Sequence, residues 1–98
     1  MVKHYIIWKL KEEITDKETR KREIKDALEG LVGKIDGLLS MTIHTEGFAS
    51  STGDLMMDSA FDSKESLDGY KNHPLHLAVA NELVRPSVEK RLAFDLEC

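Results

Sequence analysis

The sequence predicts an α+β fold in which two helical segments lie on one face of a four-stranded antiparallel sheet, in the order βαββαβ. Two observations predict it. Four segments alternate apolar and polar residues with the period of a strand, and two others repeat apolar residues at helical spacing. A length of 98 residues allows one hydrophobic core and is too short for two. We therefore expect a single domain over residues 1–98.

The first strand and the first helix are predicted from side-chain alternation and a capping motif. The strand covers residues 2–10, in which His4, Ile6, Trp8 and Leu10 form one face and Tyr5 and Ile7 the other. Thr15 and Glu18 match a capping box, which predicts a helix start. The helix has one apolar stripe, made of Ile24, Ala27, Leu28, Leu31, Val32 and Ile35. Asp36-Gly37 is predicted to end it.

The second and third strands are predicted on either side of the polar loop GFASSTGD, residues 47–54. The second runs to about residue 46, with Leu39, Met41 and Ile43 alternating with Ser40, Thr42 and His44. In the third, Leu55, Met57 and Phe61 share one face. The loop length suits a hairpin, so these two strands are expected to be antiparallel neighbours.

The second helical segment is predicted to contain a bend. Asp62 with Glu65 repeats the capping-box pattern and opens a short helix that carries Leu67 and Tyr70 on one face. Pro74 disfavours helical geometry at the preceding residue but suits the first position of a helix. A new helix is therefore predicted to start there, with His73 as its cap and a packing face of Leu75, Ala78, Val79 and Leu83.

A last strand is predicted after Arg85-Pro86, which closes the helical segment. Its alternating sets are Val88, Leu92, Phe94 and Leu96 on the one hand, and Glu89, Arg91, Ala93 and Asp95 on the other. Right-handed crossovers place both helical segments on the same face of the sheet. The result is a ferredoxin-like α+β sandwich.

The sheet face away from the helices is predicted to be uncovered in one chain. It would carry Tyr5, Ile7, Met56 and Ala60 beside Ser40, Thr42 and His44. Such a patch exceeds what a monomeric protein usually exposes. We expect a two-fold homodimer in which two sheets pack face to face across a partly hydrated interface.

Composition and charge exclude several classes of partner. The chain has 18 acidic and 14 basic residues, for a net charge of -4, and lacks the basic stripe of a nucleic-acid-binding protein. Lysines interrupt the apolar run VKHYIIWKLK before a signal peptide or a membrane span is formed. We expect a soluble, cytoplasmic protein that binds neither nucleic acid nor membranes. Cys98 is the single cysteine, which excludes an internal disulfide and a thiolate metal cage.

Two groups of histidine and aspartate residues have a spacing that could suit a metal site. His73 and His76 are three residues apart, and Asp54, Asp58 and Asp62 lie on one face of the third strand. His73 is already required for the bend, and aspartates in such a series are typical of a solvated face. We expect no metal ion and no other cofactor.

Three segments carry a resemblance to a known family: VKHYIIWKLK, the run DLMMDSAFDSKESLDGYKNHPLH over residues 54–76, and FDLE near the end. They resemble the stress-responsive dimeric α/β-barrel, or Dabb, proteins. The most specific part of the resemblance is the spacing of Phe61, Ser63, Glu65, Leu67, Tyr70, His73, Pro74 and His76. The resemblance implies a ferredoxin-like subunit and a dimer whose two sheets close into a barrel. Members of this family include stress-induced plant proteins and a few polyketide cyclases that act by aldol condensation.

The resemblance also implies candidate catalytic residues. In the plant cyclases, a tyrosine and a histidine that match Tyr70 and His76 form the working pair, and a histidine that matches His4 lines the same cavity. His76 would act as a base beside a carbonyl group, with the Tyr70 hydroxyl hydrogen-bonded to its ring. Leu55 stands where the cyclases carry another cavity histidine, and an apolar residue there favours a more apolar or smaller ligand.

Two functions are compatible with these residues. In the first, the protein binds or converts an unidentified small molecule, with cyclase- or isomerase-like chemistry, in a pocket between sheet and helices. His4, Tyr70 and His76 would supply the polar groups, and the apolar wall would consist of Trp8, Leu28, Leu55, Met57, Leu83 and Phe94. In the second, the protein is a non-catalytic stress-related scaffold in which the same polar residues belong to the core. A cavity of about 300 Å³ between the sheet and the helices favours the first.

Overall fold

The computed structural model describes residues 1–98 and has the predicted order of elements. The strands are β1 (Val2–Leu10), β2 (Leu38–His44), β3 (Leu55–Phe61) and β4 (Val88–Glu97). The helices are α1 (Lys17–Glu29), α2 (Lys64–Lys71) and α3 (Pro74–Val79), and α3 continues through a π-helical turn (Ala80–Val84) into the short α4 (Arg85–Ser87). The sheet order is β2-β3-β1-β4 with antiparallel neighbours throughout. The predicted ferredoxin-like α+β class is confirmed.

The hydrophobic core lies between one sheet face and the helices. Every second residue of β1 is buried, from Val2 to Leu10, because these side chains point to the sheet face that the helices cover. The predicted inward residues of β3 are also buried, and α1 and α2 cover them with Ile24, Leu28, Leu67 and Tyr70. The alternation read from β1 and β3 therefore identifies the core face correctly.

Both predicted capping boxes are wrong by one residue. The N-cap of α1 is Asp16, whose carboxylate accepts hydrogen bonds from the Thr19 backbone N–H at 3.0 Å and from the Thr19 hydroxyl at 2.7 Å. The N-cap of α2 is Ser63, whose hydroxyl accepts from the Ser66 N–H at 3.1 Å. Aspartate and serine are strong N-caps in their own right, and a carboxylate also complements the positive end of the helix dipole.

Helix α1 ends earlier than predicted. It stops at Glu29, and the following turns contain two glycines in the left-handed region, Gly33 at φ +88° and Gly37 at φ +84°. These turns still bury Leu31 and Ile35 but leave Val32 exposed. The apolar spacing continues beyond the helix because Leu31 and Ile35 still pack into the core. The helix itself does not continue, because Gly33 and Gly37 adopt left-handed backbone conformations.

Three predicted packing positions are also wrong. Leu39 is 52% exposed and Leu38 is buried instead, since the pairing of β2 with β3 shifts register between Leu38 and Ser40. In α3, Leu75 and Ala78 are exposed. The buried residues there are Ala80 and Val84.

The C-terminal helical segment also runs further than predicted. It continues through Pro86 to Ser87, rather than closing at Arg85-Pro86. Pro86 has no backbone N–H, and the π-helical turn just before it widens the helix, which redirects the side chains that follow. The buried Ser87 hydroxyl donates to the Leu83 carbonyl at 2.6 Å and accepts from the Arg20 guanidinium at 2.6 Å. These bonds fasten the end of the segment to α1.

The other sheet face is open and partly apolar, as predicted. Its exposed apolar residues are Ile7, Met56, Leu92 and Phe94, with exposed fractions of 43%, 36%, 72% and 66%. Ala60 lies on this face as predicted, opposite Lys3 and Ser40, but its small side chain is buried. No helix in the structure has the length and apolar character needed to cross a membrane.

The turn at Gly37 provides a stability test with a matched control. A Cβ atom at Gly37 would overlap the Ser66 Cβ and hydroxyl, whereas one at Gly33 would meet nothing within 4 Å. Gly33→Ala should therefore cost only the left-handed strain of about 1–2 kcal/mol. Gly37→Ala should cost that strain and about 1–3 kcal/mol more for the overlap. Urea denaturation of both variants measures the difference, and equal losses would contradict this account of the turn.

Candidate functional site

A cavity of about 540 Å³ lies between the sheet and the C-terminal helical segment. Its apolar lining includes Ile6 and Trp8 of β1, Met57 of β3 and Leu28 of α1. Its polar lining consists of His4, Tyr70, Lys71, His76, Arg85, Glu89 and Arg91. The volume lies within the range of about 300–1,000 Å³ that is typical of small-molecule sites. The cavity is therefore large enough for a ligand.

The structure brings together all three predicted polar residues and half of the predicted apolar wall. Trp8, Leu28 and Met57 line the cavity. Leu55 is part of the hydrophobic core and Leu83 packs against that core, but neither residue lines the cavity. Phe94 lies on the open sheet face, because its cross-strand partner Tyr5 points there. Its placement in the wall is wrong.

Tyr70 and His76 meet across the bend between α2 and α3. Pro74 occupies the first turn of α3, and the His73 side chain caps that helix by accepting from the Leu75 N–H at 3.1 Å, as predicted. The bend places the Tyr70 and His76 rings in contact, with centroids 4.2 Å apart and an angle of 37° between their planes. The two rings converge on the cavity, as predicted.

The predicted hydrogen bond between the Tyr70 hydroxyl and His76 is not formed, and the two rings instead pack against each other in a tilted arrangement. His76 Nδ1 instead lies 3.3 Å from the Lys71 carbonyl oxygen. A carbonyl oxygen only accepts, so Nδ1 carries the proton and donates it, which leaves Nε2 with a lone pair. The backbone at the end of α2 therefore orients this imidazole.

The Tyr70 hydroxyl is the second polar group of the cavity. Tyr70 is 2% exposed and its ring packs on Phe61, with centroids 5.1 Å apart. Burial raises the pKa of Tyr70 well above its ordinary value, and no hydrogen bond to a protein group counters the shift. The hydroxyl thus stays protonated and is free to donate into the cavity.

His4 is the third polar group, and its orientation comes from Asp95. His4 is 2% exposed, and its Nδ1 is hydrogen-bonded to the Asp95 carboxylate, whose second oxygen lies 3.5 Å from the Lys71 ammonium. His4 and Asp95 are direct cross-strand partners in β1 and β4. Sequence reasoning missed this pair, because it placed Phe94 in the cavity wall and therefore assigned Asp95 to the opposite face of the last strand.

The electrostatic environment keeps both imidazoles neutral. Burial lowers the pKa of His4, and the hydrogen bond to Asp95 offsets only part of that shift. Burial also lowers the pKa of His76, and the charges of Arg85 and Arg91 lower it further. Burial alone would raise the pKa of Asp95, but the His4 hydrogen bond and the Lys71 charge hold it below its ordinary value. Near pH 7 the site holds two neutral imidazoles and an ionised carboxylate.

The three aspartates considered for a cation have separate partners. Asp54 accepts from the Leu10 N–H at 2.8 Å, Asp58 pairs with the Lys3 ammonium at 2.6 Å, and Asp62 accepts from the Ser66 hydroxyl at 2.5 Å. Residues 1–98 contain no cluster of three or more histidine, cysteine, aspartate or glutamate side chains arranged to hold a metal ion. These carboxylates contact the end of β1, the middle of the sheet and the start of α2, respectively.

Comparison with known proteins gives a family and a fold. The family profile of the stress responsive A/B barrel domain, Dabb, matches residues 2–98. No protein with a curated functional description matches significantly.

Among solved structures, a dimeric ferredoxin-like protein of unknown function from Bacteroides fragilis is 26% identical, with a TM-score of 0.88 over 99% of this chain and 95% of that one. A Dabb family protein from Mesorhizobium loti is 18% identical, with a TM-score of 0.80 and coverage of 99% and 95%. A hydroxynitrile lyase from Passiflora edulis is 17% identical, with a TM-score of 0.79 and coverage of 97% and 90%. The last two show a shared fold alone.

An NMR titration tests the electrostatics of the site. His4 and His76 should both titrate below the ordinary histidine pKa of about 6.5. Asp95→Asn should lower the pKa of His4 further, because the carboxylate stabilises the imidazolium, and should leave His76 unchanged. Asp58→Asn, on the opposite sheet face, is the matched control and should change neither. A His4 pKa that rises in Asp95→Asn would show that the two side chains do not interact as described.

Proposed function

The chain belongs to the Dabb family of stress responsive A/B barrel domains, and from this premise we propose that it is a cofactor-independent enzyme that removes a proton beside a carbonyl group of a small molecule. One observation carries the proposal. A cavity of about 540 Å³ is lined by the buried imidazole of His4 and the half-buried imidazole of His76, each oriented through Nδ1, and by a tyrosine hydroxyl with no protein partner. A neutral imidazole can act as the base in enolisation, and a protonated phenol can donate a hydrogen bond to the enolate oxygen.

His76 is the proposed base and Tyr70 the proposed hydrogen-bond donor. The Nε2 lone pair of His76 takes a proton from the carbon next to the carbonyl. The electrons of the broken C–H bond form the carbon–carbon double bond of an enolate, and the carbonyl π electrons move to oxygen. That oxygen accepts a hydrogen bond from the Tyr70 hydroxyl, which is adjacent to His76 in the ring stack.

The imidazolium then returns its proton. Protonation of the enolate at a different position gives an isomer. Attack of the enolate carbon on a second carbonyl group of the same ligand instead closes a ring, and the alkoxide formed from that carbonyl group takes the proton. Neither outcome changes the oxidation level of the ligand, so the step requires no redox cofactor. His4, held by Asp95, presents its Nε2 to the same cavity and is the proposed second contact for the ligand.

The hydroxynitrile lyase from Passiflora edulis supports the proposal only at the level of the fold. It is an enzyme built on the same architecture as this chain. The alternative is a non-catalytic scaffold, and one observation favours it. The rings of His4, Phe61, Tyr70 and His76 pack in a continuous series, with neighbouring centroids 6.4, 5.1 and 4.2 Å apart, as core aromatic residues do.

The proposal includes a homodimer formed through the open sheet face. Ile7, Met56, Leu92 and Phe94 form an exposed apolar strip across β3, β1 and β4, since Met56 pairs with Ile7 and Ile7 with Leu92. Burial of such side chains stabilises association by about 25 cal/mol per Å² of apolar surface. The Bacteroides fragilis protein with the same fold is described as dimeric, which supports this arrangement.

Deuterium exchange tests the proposed reaction. The probe is 4-phenyl-2-butanone, whose enolisable hydrogens are followed by proton NMR in D2O. The wild-type protein should accelerate the exchange, and His76→Asn and Tyr70→Phe should each reduce the rate by about 100-fold or more. His73→Asn is the matched control, because asparagine also caps a helix and His73 does not line the cavity. Its rate should equal that of the wild-type protein.

Stability and pH measurements separate the two functions. The rate should be constant above pH 7 and fall as the pH drops through the lowered pKa of His76, because protonation removes the lone pair. Thermal unfolding should show that Tyr70→Phe retains the wild-type stability, because the lost hydroxyl has no protein partner. No acceleration by the wild-type protein, together with a large loss of stability in both variants, would establish the scaffold function instead.

Sedimentation tests the dimer. The wild-type protein should sediment at twice the 11.1 kDa mass of the chain. Phe94→Glu should shift the equilibrium to the monomer, because it places a charge in the apolar strip. Leu75→Glu, an exposed position on α3, is the matched control and should remain dimeric. A wild-type protein that is monomeric at micromolar concentration would contradict the proposed interface.

A further inference from the structure

The cavity has a charge balance opposite to that of the whole chain. The protein is acidic, with 18 aspartates and glutamates against 14 lysines and arginines. The cavity lining nevertheless contains Lys71, Arg85 and Arg91 and a single carboxylate, Glu89. A lining with the average composition of the chain would contain more acidic than basic groups. The excess of cations is therefore a local property of the site.

Two of the three cations have no ionic partner. Lys71 shares the Asp95 carboxylate with His4, at 3.5 Å. Arg85 contacts only the neutral amide oxygen of Asn81. No ion pair in the structure includes Arg85, Arg91 or Glu89. The two guanidinium groups therefore retain most of their capacity to bind an anion.

The arginines are placed to act on a ligand in the cavity. Arg91 is the cross-strand partner of Trp8, so its backbone lies directly beside that of Trp8, and both residues line the cavity. Arg85 follows the π-helical turn, whose Ala80 and Val84 also line the cavity. The charge of Arg91 influences the pKa of His4, Tyr70 and His76, which places it within electrostatic reach of all three polar groups.

The chemistry of the lining defines a ligand class. A guanidinium group binds carboxylates through two parallel N–H donors and does so best beside a low-dielectric surface. Trp8, Leu28 and Met57 accommodate an apolar or aromatic body next to it. A ligand that satisfies both surfaces is an organic acid with an apolar body, and its ketone carbonyl would lie between the carboxylate and that body.

We propose that the site takes a small oxo acid, whose carboxylate binds Arg85 and Arg91, whose apolar body lies on Trp8 and Met57, and whose carbonyl group faces Tyr70 and His76. This inference rests on the proposed function, since it names the substrate class of the same cavity. The arginines select the acid, and the imidazole and phenol act on its carbonyl group.

Two matched probes test the inference. 2-Oxo-4-phenylbutanoate and 4-phenyl-2-butanone differ only in a carboxylate that replaces a methyl group. Isothermal titration should show that the acid binds at least about tenfold more tightly than the ketone at low salt, and that the difference narrows as salt is added. Arg85→Gln and Arg91→Gln should each lower the affinity for the acid by about tenfold and leave the affinity for the ketone unchanged. Arg22→Gln, an exposed position on α1, is the control and should change neither.

The outcomes distinguish this inference from the proposed function. Equal affinity for the two probes, or arginine variants that weaken both probes equally, would overturn the choice of an acid, while ketone exchange that depends on His76 would leave the proposed function intact. Failure of both probes to bind and to exchange would count against both. Circular dichroism and thermal unfolding of the two glutamine variants confirm that each has the wild-type fold before affinities are compared.

Discussion

The pairing of β1 between β3 and β4 is the constraint on which the rest of the structure depends. This register directs His4 and Trp8 toward the helices and Tyr5 and Ile7 away from them. It also brings Asp95 to His4 and Arg91 to Trp8, which assembles the charged half of the cavity from a strand at the other end of the chain. A shift of one residue would exchange the two faces and bury the wrong set.

The second constraint is the pair of prolines that shape the helical layer. Pro74 stops α2 and starts α3, which turns Tyr70 and His76 toward each other. Pro86 lies just beyond the π-helical turn and removes one backbone donor from the helix, so the segment reaches β4 with Val84 facing inward and Arg85 at the cavity. The sheet sets one wall of the site, and these two local distortions set the other.

The strands and the bend are predictable from the sequence because each depends on local information, whereas the three polar residues of the site are implied by the resemblance to the Dabb family. Alternation identifies the inward face of β1, and the chemistry of proline identifies the bend between Tyr70 and His76. It does not predict the Asp95 partner of His4 or the inward face at Leu38, because pairing register joins residues far apart in the chain. The misplaced Phe94 has the same cause: its strand was read correctly, but its face depends on which residue of β1 it opposes.

The arginines at the cavity connect the recognition of a ligand with the chemistry proposed for it. Burial lowers the pKa of His76, and the charges of the arginines add to that shift, so the resting base is unprotonated. The same positive charge stabilises the negative oxygen atoms of an enolate and of a carboxylate. The arginines therefore disfavour the protonated base but favour the anions that the base would produce. At His4 the negative charge of the Asp95 carboxylate offsets part of the positive charge of the arginines. The hydrogen-bond partner of His76 is the uncharged backbone carbonyl of Lys71. The two imidazoles therefore share one cavity but are oriented by different partners, and His76 is the one that lies against the Tyr70 ring.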